Sequence, residues 1–111
     1  ASADGLQVLR NDGKWIPITA LPEQLVVNVG DMLERLTNKK LKSTIHRVVN
    51  PPRDQMDKPR YSIPFFMHPR SEMNLAALPS CVDAQHPKLW EDITAGAFLD
   101  QRLAEIGLKK K

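Results

Sequence analysis

The chain has a single cysteine, Cys81, which excludes an intrachain disulfide. A lone thiol fits a reducing compartment, and a cytoplasmic setting is expected. Cys81 sits in the loop-like stretch Leu78-Pro79-Ser80-Cys81-Val82-Asp83 without an activating neighbour, so it reads as a small apolar residue rather than a nucleophile. No apolar run approaches the length of a membrane span. No charged-then-apolar leader opens the chain; Ala1-Ser2-Ala3-Asp4 reads as a linker or a cut end. There is no internal repeat and no low-complexity segment. The charge surplus is small: 16 basic against 13 acidic residues give +3, and three of the lysines are Lys109, Lys110 and Lys111. Such a tail is ordinarily solvated, and no nucleic-acid partner is implied.

What is present is a globular composition, with 41% apolar and 26% charged residues. At 111 residues the chain makes at most one domain. Short strands come first. Leu6 to Arg10 and Trp15 to Ile18 flank Asn11-Asp12-Gly13-Lys14, a strong hairpin turn signal. Leu25-Val26-Val27-Asn28-Val29 reads as a strand buried on both faces. Asp31 and Glu34 resemble a capping box opening a short helical turn through Leu36. Thr37-Asn38-Lys39-Lys40 breaks that turn.

Further strands are expected over 43–49 and 60–67, the latter with Pro64 pointing to an edge or a bulge. Residues 68–92 show no clear period and are expected to wrap the outside. A helix is expected over 95–106, with Ala95, Phe98, Leu99, Leu103 and Ile106 on one stripe of core packing. Gly107 would stop it, with Leu108 folding back on the stripe. Residues 5–67 thus form the expected β-core, and 68–111 a loop plus helix. Strands followed by one docking helix indicate a mostly-β barrel or jelly-roll piece. About five strands are visible where a closed jelly roll uses about eight.

Two strands carry chemistry. Ser43-Thr44-Ile45-His46-Arg47-Val48-Val49 places a histidine among β-branched residues. Arg60-Tyr61-Ser62 places an arginine and a serine two positions apart, on one face of a strand and able to converge on a small anion. Together they look like half of a metal-and-carboxylate site. Taken singly, His46 reads more readily as a packed, hydrogen-bonded residue than as a ligand, and Arg60 with Ser62 as an exposed edge pair. His68 and His86, beside Pro69 and Pro87, read as surface residues. Trp15 and Trp90 read as core or sheet-covering residues.

A series of motifs occurs in order: Gly5-Leu6-Gln7-Val8, Asp12-Gly13-Lys14-Trp15, Val27-Asn28-Val29-Gly30-Asp31, Leu36-Thr37-Asn38, Lys42-Ser43-Thr44-Ile45-His46-Arg47-Val48 and Arg60-Tyr61-Ser62-Ile63-Pro64-Phe65-Phe66. The series resembles the C-terminal part of the isopenicillin N synthase-like family of non-haem Fe(II), 2-oxoglutarate-dependent oxygenases, over roughly residues 5–106. The resemblance implies part of a double-stranded β-helix, a jelly roll. It implies that His46 is an iron ligand and that Arg60 and Ser62 bind the distal carboxylate of 2-oxoglutarate. Two histidines and a carboxylate on one face of Fe(II) leave positions open for co-substrate and O₂. An arginine fork matches a carboxylate, and a neighbouring hydroxyl adds a donor.

The chain departs from the family pattern at one point. The His-x-Asp motif that should precede Gly5 is not in Ala1 to Asp4. No catalytic residue beyond the metal and co-substrate positions is assigned. The segment is expected to be part of a longer oxygenase acting on a small organic substrate, and to bind no Fe(II) or 2-oxoglutarate usefully alone. Isolated, it is expected to be inactive and to self-associate through open strand edges. The other reading is a non-catalytic β-module that binds a carboxylate or a protein partner.

Overall fold

A computed structural model describes residues 2–110. The chain divides into two compact units, one formed by residues 2–28 and 44–65, the other by 29–43 and 66–110.

The first unit is an antiparallel sheet of three strands in the order β2-β1-β3, where β1 is Leu6–Leu9, β2 is Trp15–Pro17 and β3 is His46–Val48. The hairpin turn falls where its sequence places it. Arg10 and Lys14 close the loop through a backbone bond of 2.9 Å, and Gly13 has φ +85°. The Asp12 carboxylate accepts from the Lys14 amide and from Arg10, which fixes the turn. In register, Val8 faces Ile16 on one side and His46 on the other, while Leu9 faces Trp15 and Gln7 faces Arg47. Alternation therefore puts Leu6, Val8, Ile16, His46 and Val48 on one face of the sheet and Gln7, Trp15 and Arg47 on the other. The second face is held by side chains: Arg47 lies 3.9 Å over the Trp15 ring, and its Nε donates to Gln7 Oε1 at 2.9 Å.

Two expected strands are not ladders among the described residues. The stretch 25–29, expected to be buried on both faces, leaves Leu25 91% and Val27 89% exposed. The stretch 60–67 leaves Ile63 97% and Phe65 85% exposed; its backbone is joined to the start of the chain by the Ser2 amide donating to the Tyr61 carbonyl at 2.8 Å. A strand needs a neighbour to pair with, and none of the described residues lies beside most of either stretch. The ladder of β3 is accordingly shorter than the expected 43–49.

The second unit contains α1, Asp31–Leu36, and α2, Ala95–Glu105, around a small core of Leu75, Ala95 and Phe98, with Met32 and Ile93 packed against it. Residues 29–43, expected within the β-core, belong here because the end of α1 is bonded to the later chain: the Leu78 amide donates to Leu36 O at 2.9 Å. The capping box does not form. Gly30 is the N-cap without a side-chain bond, and Glu34 instead accepts from the Ser43 amide, while Asp31 pairs with Arg102 at 3.3 Å. Thr94 caps α2 by accepting from the Ala97 amide. Gly107, at φ +79°, ends α2 in the left-handed region, and the Leu108 amide closes back onto Leu103 O at 2.9 Å. The Leu108 side chain does not fold onto the stripe, however; Ile106 and Leu108 are 67% and 76% exposed.

Asn38 organises the same unit. It is buried, lies just beyond α1 at φ +50°, and its Nδ2 is within 3.3 Å of the carbonyls of Cys81, His86 and Pro87, while its Oδ1 accepts from the Leu89 amide. One carboxamide thus holds the loop 81–89 in place. Cys81 is buried, and His68 and His86 are exposed, His86 against Asp83.

Candidate functional site

His46 opens β3, directly across from Val8, and is exposed. Its Nδ1 lies 3.0 Å from the Thr44 carbonyl oxygen. A carbonyl only accepts, so Nδ1 donates and carries the ring proton, and the Nε2 lone pair is left for another partner. A backbone carbonyl that fixes the tautomer in this way is the usual support of a metal-binding histidine. Thr44 meets the histidine through its backbone carbonyl.

Arg60 is half-buried against the start of the chain. Its Nε donates to the Ala3 carbonyl at 3.2 Å, and its side chain runs over Gly5. The Tyr61 amide donates to Ser2 Oγ at 2.7 Å, next to the Ser2–Tyr61 backbone bond. Ser62 is exposed. Gly5 continues the ladder opposite Val49, whose amide donates to Gly5 O at 2.9 Å. Gly5 stands three positions before Val8, the residue that faces His46, so the Arg60 contact and the His46 contact fall at strand positions of opposite parity.

The donor set among the described residues falls short of an iron centre. No group of three His, Cys, Asp or Glu side chains stands close enough to hold a metal ion. A facial Fe(II) site takes two imidazoles and a carboxylate, and these residues offer one imidazole.

The sequence of residues 1–69 matches the family model of the 2OG-Fe(II) oxygenase superfamily. The chain belongs to that superfamily. Among curated relatives of this 2OG-Fe(II) oxygenase chain, the flavonoid 7-O-demethylase 1 of Ocimum basilicum, an oxoglutarate-dependent enzyme, is 36% identical over 96 residues, which cover 86% of this chain and 24% of the relative. The 2-oxoglutarate-Fe(II) type oxidoreductase hxnY of Emericella nidulans is 39% identical over 101 residues, covering 86% and 28%. A Caulobacter crescentus crystal structure assigned to the 2OG-Fe(II) oxygenase family superposes with a TM-score of 0.87 at 55% identity, covering 93% of this chain and 34% of that one. A full-length Neurospora crassa protein, crystallised with alpha-KG and thymine, superposes with a TM-score of 0.78 at 36% identity, covering 96% and 32%. The chain thus spans about a quarter to a third of the length of these relatives. The fold class is that expected from the sequence: a mostly-β part of a double-stranded β-helix with one C-terminal helix. The superfamily uses Fe(II) and 2-oxoglutarate.

Of the residues in this region, sequence reasoning gave Gly5 no role although it stands in a quoted motif. Its signal was a glycine at the mouth of a strand, where close backbone approach is the common reason for one.

Proposed function

We propose that this chain is the C-terminal part of the catalytic domain of a 2-oxoglutarate-dependent oxygenase that oxidises a small organic substrate. In that domain His46 supplies one iron ligand, and Arg60 with Ser62 hold the distal carboxylate of 2-oxoglutarate. The bond from His46 Nδ1 to the Thr44 carbonyl carries the reading, because it presents Nε2 as a ligand. Membership of the superfamily and the anchored Arg60 support it. Bound iron would activate O₂ for substrate oxidation; the chain's own share is to present an imidazole, to grip a carboxylate and to orient it. The missing ligands come from elsewhere in the longer protein, so this segment alone turns over no 2-oxoglutarate. No described helix is long and apolar enough to cross a membrane. A cytoplasmic setting keeps the single thiol of Cys81 reduced.

The test is made in the longer oxygenase that contains this segment. His46→Ala should remove bound iron, measured by metal analysis, together with iron-dependent decarboxylation of 2-oxoglutarate. Ser62→Ala should raise the half-saturating 2-oxoglutarate concentration about fivefold, the equivalent of one neutral hydrogen bond of about 1 kcal/mol. Full iron content and turnover in His46→Ala would overturn the reading. A longer chain without a His-x-Asp upstream would favour the non-catalytic carboxylate- or partner-binding module instead.

A further inference from the structure

A side chain at Gly5 would meet both the Val49 backbone and the Arg60 side chain. A Cβ built on Gly5 would lie 2.9 Å from the Val49 carbonyl oxygen, 3.3 Å from Arg60 Nε and 3.5 Å from Arg60 Cδ. The Val49 oxygen is backbone and locked in the ladder by the Val49 amide's bond to Gly5 O. A side chain here therefore presses on the ladder itself, and in addition asks Arg60 Nε to give by a few tenths of an ångström. Gly5 also has φ +144°, a backbone state that side chains rarely adopt. The Ala3 carbonyl takes the Nε proton at 3.2 Å. The strand of Arg60 is registered against the same segment by the two bonds between Ser2 and Tyr61. A glycine floor, a carbonyl stop and a two-bond register thus act on one arginine.

We propose that Gly5 is a positioning residue for the co-substrate. The floor at Gly5 and the stop at Ala3 hold Nε to the protein and direct the remaining guanidinium donors at the distal carboxylate of 2-oxoglutarate. The inference rests on the reading of Arg60 as the carboxylate binder. Arginine forks are sensitive to such placement, because bidentate geometry tolerates little rotation. The Nε bond to protein also leaves a hydrogen-bonding pattern that lysine cannot reproduce.

The experiment compares Gly5→Ala, Arg60→Lys, the double variant and Ser2→Ala in the longer oxygenase. Half-saturating concentrations of 2-oxoglutarate and of the main substrate are measured, and 2-oxoglutarate binding is followed by calorimetry without turnover. Arg60→Lys should weaken 2-oxoglutarate binding at least about tenfold, as expected for one lost charge-assisted bond. Gly5→Ala should weaken it roughly threefold to tenfold while the constant for the main substrate holds. The double variant should be no weaker than Arg60→Lys alone, since Gly5 acts through Arg60. An unchanged constant in Arg60→Lys sinks the carboxylate-binder reading itself. A weakened Arg60→Lys with Gly5→Ala unchanged, equally harmful to both substrates, or additive in the double variant, overturns only the role given to Gly5. Should Gly5→Ala fail to fold, Ser2→Ala decides: loss of the Tyr61 amide's partner should raise the 2-oxoglutarate constant alone, and no rise there overturns the inference.

Discussion

Arg47 lies over Trp15, its Cζ 3.9 Å from the ring centroid, on the sheet face opposite to His46. The pair spans the outer strands β2 and β3, with Gln7 of the central strand bonded to the guanidinium between them. Adjacent positions in β3 therefore divide the labour: one faces the proposed chemistry and the next clamps the sheet. Arg47→Ala should destabilise the protein by about 1 kcal/mol, the upper range for an exposed cation–π pair. Denaturant titration of Arg47→Ala, Trp15→Ala and the double variant would check this, with coupling between the two losses as the expected sign. Additive losses would show that the stacking contributes nothing.

Asn38 should be the costliest polar position to alter in the second unit. Asn38→Ala removes the amide shared by the Cys81, His86 and Pro87 carbonyls, of which His86 O keeps the Asp83 amide, leaves the Leu89 amide without its acceptor, and places alanine in a left-handed backbone. A loss of about 2–3 kcal/mol is expected from the unmet groups. Asn38→Gly keeps the φ but loses the bonds, so it should recover only the backbone part of the loss, within about 1 kcal/mol. Amide exchange at Leu89 should quicken in both variants. A fully stable Asn38→Gly would mean that the backbone conformation, not the carboxamide, matters.

Acid should loosen the protein through three exposed carboxylates. The Arg10 guanidinium holds Asp12 below the usual carboxylate range, the His86 backbone amide and then its ring do so for Asp83, and Arg102 does so for Glu105. Each is depressed in the folded state, so its contribution is present above the unfolded pKa, near 4, and fades as pH falls through the lower folded value. All three are solvent-exposed, so the slope should be shallow and should flatten in salt. Melting temperatures between about pH 6 and pH 2.5 should fall less steeply for Asp12→Asn combined with Asp83→Asn than for the parent. Identical acid limbs in the two proteins would remove these pairs as the cause.

The isolated segment should self-associate. Leu25, Val27, Ile63 and Phe65 are each at least 85% exposed in one unit, and the stretches that carry them have backbone unspent in any ladder. Such stretches pair with copies of themselves when nothing else covers them. Sedimentation should show dimers or larger species that dissociate when Ile63 and Phe65 are both replaced by lysine. A monomer at high concentration would refute this.

The hairpin and α2 were legible in the sequence because their information is local. Asn11-Asp12-Gly13 supplies its own turn, and the stripe from Ala95 to Leu103 its own period. The failures share a cause, which is distance along the chain. Asp31 and Glu34 have the spacing of a capping box, yet each finds a remote partner, Arg102 and the Ser43 amide. The strands at 25–29 and 60–67 were read as apolar runs, but pairing depends on neighbours that a run cannot reveal. His46, Arg60 and Ser62 were found as motifs. The Thr44 carbonyl behind His46 and the Gly5 floor under Arg60 were not, since a backbone atom or an absent Cβ leaves little mark in a sequence.

The discontinuity of the two units limits how the chain can be cut. Each unit takes two separate stretches, so the polypeptide passes between them near residues 28, 43 and 65. No single boundary yields one whole unit: a truncation after 65 keeps the three-stranded sheet but carries along 29–43, stripped of the loop that Asn38 holds. During synthesis, β1 and β2 leave the ribosome well before β3, so the central strand waits with one edge open until His46 arrives. Closing that edge spans the loop between Val8 and His46, which makes the step that brings the histidine to the sheet the slow, long-range one in this unit.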